Sequence, residues 1–369
     1  MIPIIFVSLL ILSPFFSKEC SSQEPLPQAP AVYVFGDSLL DAGNNNYHTL
    51  FAKANYRPYG INFPTGRATG RFTDGKTFAD FIAGYLGLPF PIAYRGKRDT
   101  ILQTGYTYAS GGCGILPRTG INLGCLSMDR QLELFQETKD KELAPFYQSE
   151  LSEYLADSIF IVWAGSNDYL INYFHGLTPD FYNKSEEFAQ HLVDGLSDKL
   201  KILHDKGARK IVVLELGPLG CLPVYRKNNN ENATWCDESK NVNATMFNAR
   251  LATMIQNLTS AYPDSYFTLG KLYDLSDDVF KHPSNYGMTD VSSSCCITGK
   301  VLGNLPCFPS LKPCSNPEEY LFWDGAHPTQ ASHQLLATPC FSGSDVCVPN
   351  NIQQLVQLKA KTASLHTAA

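Results

Sequence analysis

The stretch Ala31-Val-Tyr-Val-Phe-Gly-Asp-Ser38 decides how the rest of the chain is read. Its first five residues are apolar and rich in β-formers; a proline-rich segment (residues 25–30) leads into them, and Gly36-Asp37-Ser38 ends them. An apolar run of this length, bounded by turn residues and without polar alternation, is a strand buried on both faces. Similar runs occupy residues 105–109, 158–163, 210–216 and 265–269, each followed by turn-forming residues. Between them, apolar residues at helical spacing predict helices over 77–86, 129–135, 188–205 and 244–261. Apolar strands alternating with amphipathic helices predict a three-layer α/β/α sandwich with a central parallel sheet, as one domain over residues 23–369. Reacting groups in such a fold sit in the loops after the carboxyl ends of the strands.

Composition agrees with a large folded core. The 369 residues are 44% hydrophobic and only 17% charged, which excludes a disordered or fibrous chain. Lys and Arg number 29 against 35 Asp and Glu, a net charge of −6, so a protein built to grip nucleic-acid phosphates is not expected. Residues 2–16 are almost wholly apolar yet too short to span a bilayer, and small residues at Cys20 and Ser22 suit cleavage after Ser22. Residues 1–22 therefore read as a signal peptide. No other segment is apolar for long enough to anchor the chain in a membrane.

Of 11 cysteines, only Cys20 would leave with that segment, and the even remainder favours disulfides. No Cys-x-x-Cys pair occurs, which argues against a zinc ribbon or a thioredoxin-type site. Local pairings suggest themselves for Cys113 with Cys125, Cys221 with Cys236, and Cys307 with Cys314, although spacing leaves connectivity open. Asn183, Asn232, Asn243 and Asn257 each begin an Asn-x-Ser/Thr sequon. Behind a signal peptide they predict a secreted, extracellular glycoprotein with glycans on exposed loops or helix faces.

Four loops carry the chemistry. Ser38 follows the first strand on a glycine-bounded turn that is expected to lead into a helix, where free N–H groups could stabilise an anion. Ser110-Gly-Gly-Cys-Gly114 is a flexible loop whose backbone amides can approach a ligand. Asn167, in Gly165-Ser-Asn-Asp168, offers a carboxamide donor to the same crevice. In Phe322-Trp-Asp-Gly-Ala-His-Pro328, Asp324 and His327 stand close enough for the carboxylate to hold one ring nitrogen while the other faces a nucleophile. Each loop alone could be an ordinary turn or helix cap; the four in order are not ordinary.

In that order they resemble the plant branch of the Gly-Asp-Ser-Leu (GDSL) esterases and lipases, within the SGNH hydrolases. The likeness extends over the mature chain, through residues 63–76, Gly217-Pro-Leu-Gly-Cys-Leu-Pro223, Cys295-Cys296 and residues 316–320. It implies a flavodoxin-like SGNH fold, with Ser38 as nucleophile, His327 as general base and acid, and Asp324 as the residue orienting His327. It further implies an oxyanion hole made of the Ser38 and Gly112 backbone N–H groups and the Asn167 side chain, and needs no metal or other cofactor. Cys113 stands where many relatives have a small residue.

The substrate implied is a small-molecule or lipid acyl ester, with Phe35, Trp163, Tyr169 and Phe322 as aromatic neighbours of the loops. The same machinery would serve a polysaccharide acetylesterase or an acyltransferase, and a catalytically idle binding protein is the alternative from another class. Gly70-Arg-Phe-Thr-Asp-Gly-Lys-Thr77 has phosphate-loop spacing but follows a polar, proline-containing loop rather than a strand. No Gly-x-Ser-x-Gly elbow occurs, which argues against the ordinary α/β-hydrolase arrangement. Nothing in the pattern fixes an oligomeric state.

Overall fold

The computed structural model describes residues 26–47, 52–96, 103–225, 236–296, 307–309 and 312–359. The expected signal peptide and Asn232 lie outside them. Nine strands are present among these residues: β1 (Val32–Gly36), β2 (Ile92–Ala93), β3 (Tyr106–Thr107), β4 (Ile159–Trp163), β5 (Lys210–Leu214), β6 (Tyr266–Gly270), β7 (Asp290–Ser294), β8 (Tyr320–Phe322) and β9 (Cys347–Val348). The helices are α1 (Phe78–Tyr85), α2 (Met128–Thr138), α3 (Ala144–Tyr147), α4 (Leu151–Asp157), α5 (Ser185–Asp205), α6 (Glu238–Ala261), α7 (Leu272–Lys281), α8 (Gln330–Ser342) and α9 (Ile352–Gln357).

The main sheet runs β2-β3-β1-β4-β5-β6-β9, parallel throughout except for the β6–β9 pair. Within it, β3-β1-β4-β5-β6 has the flavodoxin-like order, in which the chain reverses direction across the sheet between β1 and β4. Successive strand residues point to opposite faces. Tyr33, Phe35, Phe160, Val162, Ile211 and Val213 therefore pack against α2, α5 and α6. Val32, Val34, Ile159, Ile161, Val212 and Leu214 pack against α1, α8 and α9. These two cores make the three layers.

Two expectations need correcting. Among the described residues no α-helix directly follows the Ser38 turn; a short 3-10 turn (Asn44–Tyr47) forms there. The side chains of Asn44, Asn45 and Asn46 donate instead to carbonyls of Thr107, Ala109, Ala52, Gly111 and Thr69, so local side-chain bonding takes the place of a helical ladder. The central parallel sheet is as expected, with the two-residue β9 added at one edge in the opposite sense. Cys307 does not pair with Cys314. Cys296 takes Cys307 and Cys295 takes Cys314, since adjacent residues at the end of β7 present their side chains to opposite sides and each captures one partner. Cys113–Cys125, Cys221–Cys236 and Cys340–Cys347 are the other disulfides.

Asn183 and Asn257 are exposed, but Asn243 is buried in α6 with its amide donating to Ser239 O at 2.8 Å. The exposure expected of a glycan site is absent there. No helix among the described residues is long and apolar enough to cross a membrane.

Candidate active site

The site forms where β1 and β4 diverge. Gly36 ends β1 with φ +140°, and a Cβ there would lie 1.9 Å from Trp163 O, so only glycine lets the strands approach this closely. Gln131 of α2 clamps the two peptide groups flanking Gly36 Cα from one side, accepting from Gly36 N at 2.9 Å and donating to Gly36 O at 2.8 Å. Asp37 then turns the chain by accepting from Leu39 N at 3.0 Å, which leaves Ser38 at the tip.

Two buried carboxylates tie the neighbouring loops to this turn. Asp41 accepts from the backbone of Gly43, Asn44 and Gly111. Asp168 accepts from Ile115 N, Leu116 N and the Thr119 hydroxyl, and a Cβ on Gly114 would lie 2.3 Å from its Oδ2. The Cys113–Cys125 disulfide closes that loop. Gly112 has φ +85°, which again favours glycine. Asn167 Nδ2 donates one hydrogen to Cys113 O at 2.8 Å and keeps another. The N–H groups of Ser38 and Gly112 have no acceptor among the described residues.

Asp324 and His327 arrive from the other side. The parallel pair β7–β8 ends at Phe322, and the next residues turn back so that Trp323 N donates to His327 O at 2.8 Å. Asp324 Oδ1 accepts from the backbone of Ala326 and His327, both at 2.9 Å, and both carboxylate oxygens lie 2.8 Å from His327 Nδ1. Tyr59 donates to Asp324 Oδ2 at 2.7 Å. His327 Nε2 lies 2.8 Å from Ser38 Oγ, and the Phe72 ring centroid is 5.0 Å from the imidazole.

Burial opposes the charge of Asp324, yet His327 and the hydrogen bonds of Ala326 and Tyr59 hold its carboxyl below the usual range. Burial likewise disfavours imidazolium, yet Asp324, with a smaller contribution from Asp37, raises His327 above its ordinary value. Desolvation pushes Asp37 up to about 7. It pushes Asp41 and Asp168 up to about 6, against the pull of their hydrogen bonds.

Beside Ser38 and His327 opens a pocket of about 870 Å³, mouth included. Trp163, Leu219, Val279, Phe322, Leu335 and Leu336 line it, from β4, the loop after β5, α7, β8 and α8. Trp163 and Phe322 thus stand where the sequence suggested, whereas Phe35 and Tyr169 belong to the packed core. The Gly70–Thr77 stretch holds no phosphate-loop geometry: Arg71 pairs with Asp80 of α1, and Lys76 lies over the rings of Phe81 and Phe90. Tyr59 carries no sequence signal of its own; only the fold brings it to Asp324.

The profile of the GDSL-like lipases/acylhydrolases matches residues 32–339. The chain belongs to the GDSL-like lipase/acylhydrolase family. Among its relatives, GDSL esterase/lipase 7 of Arabidopsis thaliana is 37% identical, over 96% of this chain and 99% of its own. A second Arabidopsis GDSL esterase/lipase is 40% identical over 89% of this chain and 86% of its own. Among solved structures, a phospholipase A1 from Streptomyces albidoflavus aligns at 13% identity, TM-score 0.39, over 84% of this chain and 97% of its own. An acetylxylan esterase from Geobacillus stearothermophilus aligns at 12% identity, TM-score 0.37, over 85% and 92%. As a GDSL family member the protein is a carboxylic ester hydrolase.

Proposed function

We propose that the protein is a secreted serine esterase of acyl esters, working as one domain over residues 23–369, with Ser38 as nucleophile, His327 as general base and acid, and Asp324 orienting His327. The observation that carries this reading is the unbroken chain of contacts from Ser38 Oγ to His327 Nε2 and from His327 Nδ1 to Asp324, every step at 2.8 Å. Ser38 attacks the ester carbonyl while His327 takes its proton. The oxyanion is held by the free N–H groups of Ser38 and Gly112 and by the second amide hydrogen of Asn167. His327 then protonates the leaving alcohol, and water repeats the sequence on the acyl-enzyme to release the acid.

The apolar pocket beside Ser38 favours an acyl chain longer than acetyl, and hence a role in lipid metabolism over the polysaccharide acetylesterase reading. Acyl transfer to another alcohol would use the same acyl-enzyme. Secretion is supported by five disulfides and by the exposed sequons at Asn183 and Asn257.

The test is hydrolysis of p-nitrophenyl esters from acetate to palmitate by wild type and Ser38→Ala. Wild type is expected to turn over, with Ser38→Ala reduced on the order of 10⁶-fold in kcat. A folded wild type inert toward every ester and toward a fluorophosphonate probe would favour the binding-protein alternative.

A further inference from the structure

Tyr59 lies outside the four loops that carry the chemistry, yet its side chain is only 1% exposed and meets the buried end of the Ser38–His327–Asp324 chain. Its ring packs edge-on to Tyr56 and Phe72, in a small core with Trp323 and the Cys295, Cys296 and Cys307 sulfurs. Its backbone is fixed as well: Tyr59 N donates to Tyr56 O, and Gly60 N to Thr73 O. The hydroxyl therefore reaches Asp324 from a rigid mount.

The two oxygens of Asp324 are held differently. Oδ1 is gripped by two backbone N–H groups of its own turn, and Oδ2 receives the Tyr59 hydroxyl; Nδ1 of His327 lies 2.8 Å from both. Without Tyr59 only His327, the group to be oriented, would touch Oδ2, and a buried acceptor would lose its fixed partner in a low-dielectric cage. We infer that Tyr59 is a positioning residue for the proposed reaction: its hydroxyl on Oδ2 fixes the plane of the Asp324 carboxylate and tempers its basicity, and so sets the orientation and proton affinity of His327. This assignment rests on the serine-hydrolase reading above.

The other titratable groups around the pair are Asp37 at the Ser38 turn, Tyr56, and His333 on α8. Tyr56 makes a useful control. It sits against Tyr59, but its hydroxyl donates to Cys307 O at 2.7 Å rather than to Asp324.

Tyr59→Phe is expected to lower kcat about tenfold with KM little changed, since a charge-assisted hydrogen bond is lost and the binding pocket is not. A carboxylate with one donor fewer is more basic and holds imidazolium more tightly. The acid limb of the kcat/KM profile therefore moves up by about half a pH unit. Tyr56→Phe leaves both readings near wild type. In an Asp324→Asn background the same Tyr59→Phe change costs little, because the partner through which it acts is already gone.

An unshifted limb with full kcat, or an equal cost in both backgrounds, overturns the assignment. If Tyr59→Phe does not fold, 3-fluorotyrosine labelling of wild type supplies the reading. Stronger phenol donors are then expected to move the limb to lower pH, and an unmoved limb refutes the role. Failure of the underlying serine mechanism is distinguishable, because Ser38→Ala would then retain activity.

Discussion

Ser38 and His327 meet at 2.8 Å, but they are carried by unlike structures. Ser38 extends from β1 in the interior of the parallel sheet, where Gln131, Asp41 and Asp168 satisfy the backbone groups of the surrounding loops. Asp324 and His327 follow the short β8, outside the main sheet, where a two-stranded ladder with β7 is reinforced by two disulfides and a cage of Tyr59, Phe72 and Trp323. Cys295 N donates to Phe322 O and Cys296 N to Trp323 O, so the disulfide-bonded residues grip the very peptides that lead to Asp324. One half of the site is thus held mainly by the wide sheet and buried side chains that bond its loops, and the other by a two-stranded ladder that leans on disulfides and aromatic packing.

That contrast can be broken or sharpened experimentally. Of the substitutions that spare Ser38, the largest effect is expected on the sheet side: Asn167→Ala should lower kcat roughly 10²–10³-fold by removing one proposed oxyanion donor, with only a modest fall in melting temperature from the lost bond to Cys113 O. Removing Cys295–Cys314 by a double substitution to Ala should destabilise the protein by about 2–4 kcal/mol and lower kcat together with stability. Full activity in that double variant would mean that the Asp324 turn holds itself. Gln131→Leu leaves Gly36 N without its partner and should cost about 1–3 kcal/mol in denaturant unfolding.

The subtlest difference is in pH response. With His327 raised above its ordinary value, kcat/KM should fall as pH drops through neutrality, because the base becomes protonated. Stability should not follow it down. Asp37, Asp41 and Asp168 have folded values raised to about 7, 6 and 6, so between their unfolded values and those limits the folded state binds more protons. These groups, and His327, therefore add stability as pH falls from 7 toward 5.5. His333, lowered to about 3 by burial, runs the other way and moderates the gain. A melting temperature that drops in step with activity over that interval would contradict this account.

The sheet side was also the more legible half in the sequence. β1, β4, β5 and β6 are apolar runs whose β-branched and aromatic residues announce buried strands, and the loops after β1 and β4 carry their motifs where an α/β fold puts them. The other half was legible only at Asp324 and His327. β7 reads Asp-Val-Ser-Ser-Ser, with no apolar alternation, and β2 and β9 are two residues each. The nested pairing of Cys295 and Cys296 depends on side-chain directions at a strand end, which spacing does not encode. Tyr59 reaches Asp324 across 265 residues of chain, a contact made by tertiary packing alone.

A separation of 289 residues also divides Ser38 from His327. During synthesis the serine and its half of the sheet emerge long before the residues that would withdraw its proton. If the proposed mechanism holds, a chain not yet synthesised as far as His327 lacks the base that would activate Ser38, whatever else of the sheet has formed.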